Sequence, residues 1–103
     1  MIYYNVTSQI DINIEAEWVR WMQEEHIPEM LNTKYFIEVK LLKINLDDKS
    51  TCTYAAQYLS SSESSLNKYI NNNDNILKEK TIKNFGDKVL SFSTKLKVIS
   101  EHK

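Results

Sequence analysis

Residues 2–22, IYYNVTSQIDINIEAEWVRWM, change their hydrophobic period halfway along, and that change decides the fold. Ile2, Tyr4, Val6, Ser8 and Ile10 alternate with Tyr3, Asn5, Thr7 and Gln9, the period of two that marks a strand. From Ile14 onward the period lengthens. Ile14, Trp18, Trp21 and Met22 stand three and four apart and form one apolar stripe of a helix, while Glu15, Glu17, Arg20, Gln23 and Glu24 fall largely outside it. Asp11 or Asn13 can cap the helix start. The stripe predicts a helix running to about Ile27. Pro28 lacks an N–H and disfavours helical geometry before it, so a kink or restart is expected there, with residues 29–31 as a last turn.

The rest of the chain continues the alternation of periods. Residues 35–46 are rich in β-formers, but their apolar phase switches from Tyr35, Ile37, Val39 and Leu41 to Leu42, Ile44 and Leu46. A strand buried on both faces, or a bulge near Leu41, accounts for that switch. Residues 47–50 (DDKS) read as a polar turn. Residues 51–59 return as a strand with Cys52, Tyr54, Ala56 and Tyr58 on one face and Thr53, Ala55, Gln57 and Leu59 on the other. Ser60-x-x-Glu63 has the pattern of a capping box. The helix behind it carries Leu66, Tyr69, Ile70, Leu77, Thr81 and Phe85 inward. It takes in the biased stretches SSSESS (60–65) and NNNDN (71–75) as a cap and a polar face, and Gly86 ends it. Residues 89–99 form the last strand. Its expected inner face is Leu90, Phe92, Thr94, Leu96 and Val98, and its outer face Ser91, Ser93, Lys95 and Lys97.

The order β-α-β-β-α-β, with right-handed crossovers, closes into an α+β ferredoxin-like sandwich: a four-stranded antiparallel sheet with two helices on one face. All 103 residues form a single domain on this reading. The free face of the sheet then presents Tyr, Thr, Ala, Asn and Gln, too apolar to stay wet and too polar for a second internal layer. Two such sheets packed face to face solve the problem, and a small domain gains from the extra burial. The expected assembly is a homodimer, a dimeric α+β barrel.

Composition removes whole classes of function. Thirteen basic against fourteen acidic residues give a formal charge of −1, with no electrostatic footprint for nucleic acid or an anionic membrane. One glycine excludes the glycine-rich phosphate loops, and one cysteine excludes an internal disulfide and any multi-cysteine zinc site. No H-x-x-x-H or H-E-x-x-H pattern and no G-x-S-x-G elbow occurs, so neither a metal nor a serine-hydrolase reading stands. No cofactor is expected. The amino terminus lacks the features of a secretory signal, and no apolar run approaches a membrane span, so the expected compartment is the cytoplasm.

The candidate chemistry is sparse. His26 is the histidine inside the expected fold, His102 lying in the tail. One turn after Met22 and just before Pro28, His26 can face the cleft between helix and sheet as a general base, oriented by Glu25 or Glu29, or it can cap carbonyls freed by the kink or pack on a ring. Trp18 and Trp21, with Met22, can wall a pocket for an aromatic ligand or serve as core against the sheet. Asn5, Tyr54 and Tyr58 are read as sharing a face of adjacent strands, completed by a ligand or by the partner subunit. The carboxylates Glu15, Glu17, Glu24, Glu25 and Glu29 read as a solvated face.

Four stretches carry a resemblance. Ile2-Tyr3-x-Asn5-Val6-Thr7, Trp18-x-x-Trp21-Met22-x-Glu24-Glu25-His26-Ile27-Pro28-Glu29, Thr53-Tyr54-Ala55-x-Gln57-Tyr58 and Phe85-Gly86-Asp87-Lys88 are similar to domain-of-unknown-function family 4286. These small bacterial proteins are expected in the dimeric α+β-barrel superfamily. The resemblance implies the fold over nearly the whole chain and implies no reaction. Relatives in that superfamily include cofactor-free quinone-forming monooxygenases and haem-degrading monooxygenases, which line a pocket between sheet and helices with Asn, Trp, His and Tyr. Asn5 is in a place similar to the asparagine of the haem degraders, but the second helix offers Asn73, Asn75 and Lys78 and no haem-ligating histidine. The expected function is binding of a small apolar or aromatic molecule between the sheet and helix 1. The alternatives are a cofactor-independent oxidoreductase or isomerase with His26 as base, and a purely structural or protein-interaction module.

Overall fold

The computed structural model describes residues 1–45 and 49–103; the expectations for Leu46, Asp47 and Asp48 lie outside the described residues. Four strands, β1 (Ile2–Asp11), β2 (Glu38–Ile44), β3 (Thr51–Ser60) and β4 (Val89–Lys97), form one antiparallel sheet in the order β2-β3-β1-β4. Between β1 and β2 run α1 (Glu15–Trp21), a π-helical turn (Met22–His26) and α2 (Ile27–Asn32); between β3 and β4 run α3 (Glu63–Asn72) and α4 (Asp74–Phe85). The ferredoxin-like α+β sandwich is the observed architecture.

Register explains which residues face the helices. Tyr4 opposes Tyr58, Val6 opposes Ala56 and Ile10 opposes Cys52, so their side chains share the helix face. The core collects there, with Trp18, Met22, Met30, Phe36, Leu66 and Tyr69 all buried. The rings of Tyr4, Phe36, Tyr58 and Tyr69 form one cluster, with Phe36 and Tyr69 edge to face at 4.9 Å. The Cys52 thiol is free and buried, and burial pushes its pKa up to about 11, so it remains a protonated core side chain.

The last strand reverses the sequence expectation. Val89 pairs with Ile10, Ser91 with Ser8 and Ser93 with Val6, which turns Ser91, Ser93, Lys95 and Lys97 toward the helix side. Leu90, Phe92, Thr94 and Leu96 pair with Gln9, Thr7, Asn5 and Tyr3 and point to the open face. Alternation alone gives two phases and no sign. The more apolar phase is the one expected in the core, but here it serves the face that no helix covers. Leu90 and Phe92 are each 64% exposed and Leu96 42%.

Four smaller differences have local causes. The pairing of β2 with β3 is continuous from Glu38–Leu59 to Ile44–Thr53, so no bulge occurs near Leu41. The phase switch arises because Val39 and Leu41 pack on the core while Leu42 and Ile44 face the open side. The restart expected at Pro28 takes the form of a π-turn leading into α2 instead of a kink. Ile27 N–H donates to Met22 O, and this one-residue widening precedes the proline, which falls in the first turn of α2. The second helix starts two residues later than expected. Ser62 Oγ accepts from Ser65 N–H as the cap, while Ser60 Oγ donates to the Tyr35 and Ser62 carbonyls, and no Ser60–Glu63 box forms. That helix also breaks at Asn73 into α3 and α4. Asp11 caps the first helical turn as expected, and Gly86, at φ +59°, ends α4 in a region that favours glycine.

Candidate functional site

A cavity of about 340 Å³ opens between the sheet and the helices. Its floor is made of Val6, Ser8, Ala56, Ser91 and Ser93, all small for core-facing strand positions. Its roof includes Trp18, Met22 and His26 from the first helical segment and Leu77 and Thr81 from α4. The cavity exists because hydroxymethyl and methyl groups on β1, β3 and β4 do not reach the helix above them. Interiors close such gaps when apolar side chains are available, but α4 leaves Ile76 exposed.

One end of the cavity is polar. Tyr4 Oη donates to Asp74 Oδ1 at 2.9 Å and lies 3.0 Å from Ser93 Oγ. Lys78 Nζ pairs with Asp74 Oδ2 at 2.9 Å, and Asp74 is buried. Ser8 and Ser91 share a hydroxyl hydrogen bond of 2.7 Å one register step away. Burial raises the pKa of Tyr4 and that of Tyr58, whose ring forms part of the same wall, so both phenols remain protonated.

The π-turn places His26. Its ring stacks on Trp21 at 4.8 Å, Trp21 meets Phe85 edge-on at 5.3 Å, and His26 Nδ1 is buried with no hydrogen-bond partner. Desolvation pushes the imidazole pKa down to about 4, with Lys80 acting in the same direction and Glu29 against it. His26 is therefore neutral at pH 7. Unfolding restores its ordinary proton affinity, so the unfolded chain binds the extra proton between about pH 6.5 and 4. Folding stability from this group falls as pH drops through that window, by roughly 3 kcal/mol in total. Urea denaturation from pH 8 to pH 4 will show this slope, and His26→Phe, which keeps the ring stack, will flatten it relative to the parent chain.

The expected site residues separate. Trp18, Met22, His26 and Tyr58 converge on the cavity. Trp21 instead lines a second cleft with Glu25, His26, Glu29, Lys80 and Asn84, where Lys80 Nζ donates to Glu29 Oε2 at 2.6 Å. Tyr54 supports the wall from behind: its ring packs on Trp18 at 5.1 Å and its hydroxyl donates to Glu15 Oε2, which also accepts from Lys43. Asn5 does not share their face. It pairs with Gln57 and Thr94 on the open side of the sheet, where its Nδ2 donates to Thr7 and its Oδ1 is buried without a partner in the chain. Ser8, Asp74, Ser91 and Ser93 carry no local sequence signal as a set; a serine pair at helix-facing strand positions is the signal, legible only with the register known. Among the described residues no group of three His, Cys, Asp or Glu side chains is placed to hold a metal ion, and no helix is long and apolar enough to cross a membrane.

Solved structures share this architecture at low identity. A dimeric ferredoxin-like protein from an uncultured marine organism superposes with a TM-score of 0.67 at 16% identity, over 98% of each chain. An EthD-family protein of Bacillus halodurans gives 0.66 at 10% identity, over 91% of this chain and 97% of that one. A putative antibiotic biosynthesis monooxygenase of Bacillus cereus gives 0.60 at 12% identity, over 98% of each chain. These likenesses establish the fold. No curated protein matches the chain. The profile of the domain of unknown function DUF4286 matches residues 1–99, nearly the whole length, and the chain belongs to that family.

Proposed function

We propose that the protein is a homodimeric binder of a small apolar or aromatic molecule, held in the cavity between the sheet and the two helical segments. The carrying observation is the cavity itself: about 340 Å³, within the size range of ligand sites, with an apolar roof and a few convergent polar groups at one end. A purely structural module has no need of such a volume, because filling Ser91 and Ser93 with larger side chains would stabilise it. Pairing through the open face is supported by exposed Leu42, Leu90, Phe92 and Leu96. The marine relative is described as dimeric. A cytoplasmic location belongs to the same proposal, supported by the free, buried Cys52.

A second reading, a cofactor-independent oxidoreductase or isomerase, is favoured by the unpaired Nδ1 of neutral His26 in the cavity wall and by the name of the Bacillus cereus neighbour. The binding reading takes precedence because an imidazole that protonates near pH 4 is a weak base at neutral pH. A native mass spectrum of gently purified protein tests both parts of the proposal. Twice the chain mass with one retained small molecule per chain, absent from Ser91→Leu, is the expected result. A monomer without adduct overturns it.

A further inference from the structure

We infer that Phe92 is the knob of a self-complementary contact: the ring of each copy seats in a hollow on the open sheet face of a second copy of this chain. This rests on the pairing reading above and names the contact that makes the pair.

The register lays the open face out in rows. One row runs Ile44, Thr53, Gln9 and Leu90 across the four strands. The next runs Leu42, Ala55, Thr7 and Phe92. In both rows the large apolar side chains stand on the edge strands β2 and β4, while the central strands carry the small Thr53, Ala55 and Thr7. The face therefore has relief. Leu90 and Phe92 are each 64% exposed, whereas Ala55, one strand beyond Thr7, is buried. Beside them lies a hollow of about 280 Å³ whose walls include Thr7, Gln9, Thr53, Leu90 and Phe92 itself.

A projecting ring next to an unfilled hollow is the form an isologous contact requires, because one two-fold rotation sets each ring over the other copy's hollow. Since Phe92 borders its own hollow, the two rings come side by side near the axis. Charge fits the same partner. No side chain in either row is charged, and the next row, Lys40, Gln57, Asn5 and Thr94, holds a single cation on β2. An acidic or basic partner finds nothing to recognise here, while a second uncharged copy of the face does. Strands about 4.8 Å apart and rows about 7 Å apart offer roughly 500 Å² in projection, before side-chain relief is counted, which is the scale of one side of a dimer interface.

The test uses two full-length variants. Thr53→Phe fills the hollow and keeps the knob, and Phe92→Ala removes the knob and leaves the hollow open. Alone, each should dimerise at least about a hundredfold more weakly than the parent, because two rings per dimer lose their seats or are missing. Mixed in equal amounts, they should form a heterodimer. Phe92 of the first variant enters the open hollow of the second, and the ring added to the first fills the place of the absent knob. Native mass spectrometry separates the heterodimer from both homodimers. Thr7→Phe fills the same hollow from β1 and serves if Thr53→Phe does not fold. Parent-like dimers from either variant alone, or no heterodimer in excess of the homodimers, overturn the knob-and-hollow assignment and leave pairing through the face standing for a dimeric parent. A monomeric parent overturns the assignment together with the pairing reading beneath it.

Discussion

Trp18→Ala will cost about 3–5 kcal/mol of folding stability, the largest loss expected from any single truncation in this chain. Trp18 is 2% exposed, packs its ring on Tyr54 at 5.1 Å and forms part of the cavity roof. Removing the indole leaves a void that α1 and β3 cannot close, because both are held in place by the Glu15 bridge to Tyr54 and Lys43. For a domain of this size each kcal/mol moves the thermal midpoint by roughly 4–8 °C, so a fall on the order of 20 °C is expected. Differential scanning calorimetry reads it directly. Trp21→Ala should cost less, since that ring is only partly buried and meets His26 and Phe85 near the surface. A shift of under about 5 °C for Trp18→Ala would show that the wall it forms is not part of the cooperative core.

The second large effect belongs to the open sheet face. Replacing Leu90 and Phe92 together by Lys will convert the proposed dimer to a monomer. Both side chains are mostly exposed in the single chain, and a symmetric pairing through this face buries both from each copy. Burying one such side chain gains roughly 1.5–3 kcal/mol, so losing four across a symmetric interface, with four added like charges, weakens association by many orders of magnitude. Sedimentation at micromolar concentration will report half the parent mass with an unchanged circular dichroism spectrum. An unchanged mass would place the interface elsewhere, and the apolar phase of β4 would then lack an explanation.

That strand also shows what sequence alone conveys here. Element types and order were legible because the periods are unambiguous: two in residues 2–10, near 3.6 from Ile14 onward. Alternation divided β1 into two phases, Ile2, Tyr4, Val6, Ser8 and Ile10 against Tyr3, Asn5, Thr7 and Gln9, without saying which one faces the helices, since Tyr3 and Tyr4 are alike. β4 offered a sharper contrast, and it pointed the other way. In a sheet with apolar side chains on both faces, hydrophobicity identifies a phase without saying which layer it serves; only the pairing of Ser91 with Ser8 settles that. Asn5 was misplaced relative to Tyr54 and Tyr58 for a related reason, because cross-strand register rather than alternation decides who shares a face. The polar end of the cavity was illegible as a unit. Tyr4 and Asp74 are 70 residues apart, and Tyr4 and Ser93 are 89 apart. His26 was found from its place before Pro28, but its loss of proton affinity depends on the π-turn, which no local pattern announced.

The central claim is that the space beneath α4 takes up a small apolar molecule, and the most direct measurement is where such a molecule binds. Methyl-labelled protein titrated with 1-naphthol will show saturable shifts at Met22, Ala56 and Leu77, which bound the cavity, while Leu42 and Leu96 on the opposite face stay still. Shifts confined to Leu42 and Leu96, or no saturable shift at Met22 and Leu77, would contradict the account.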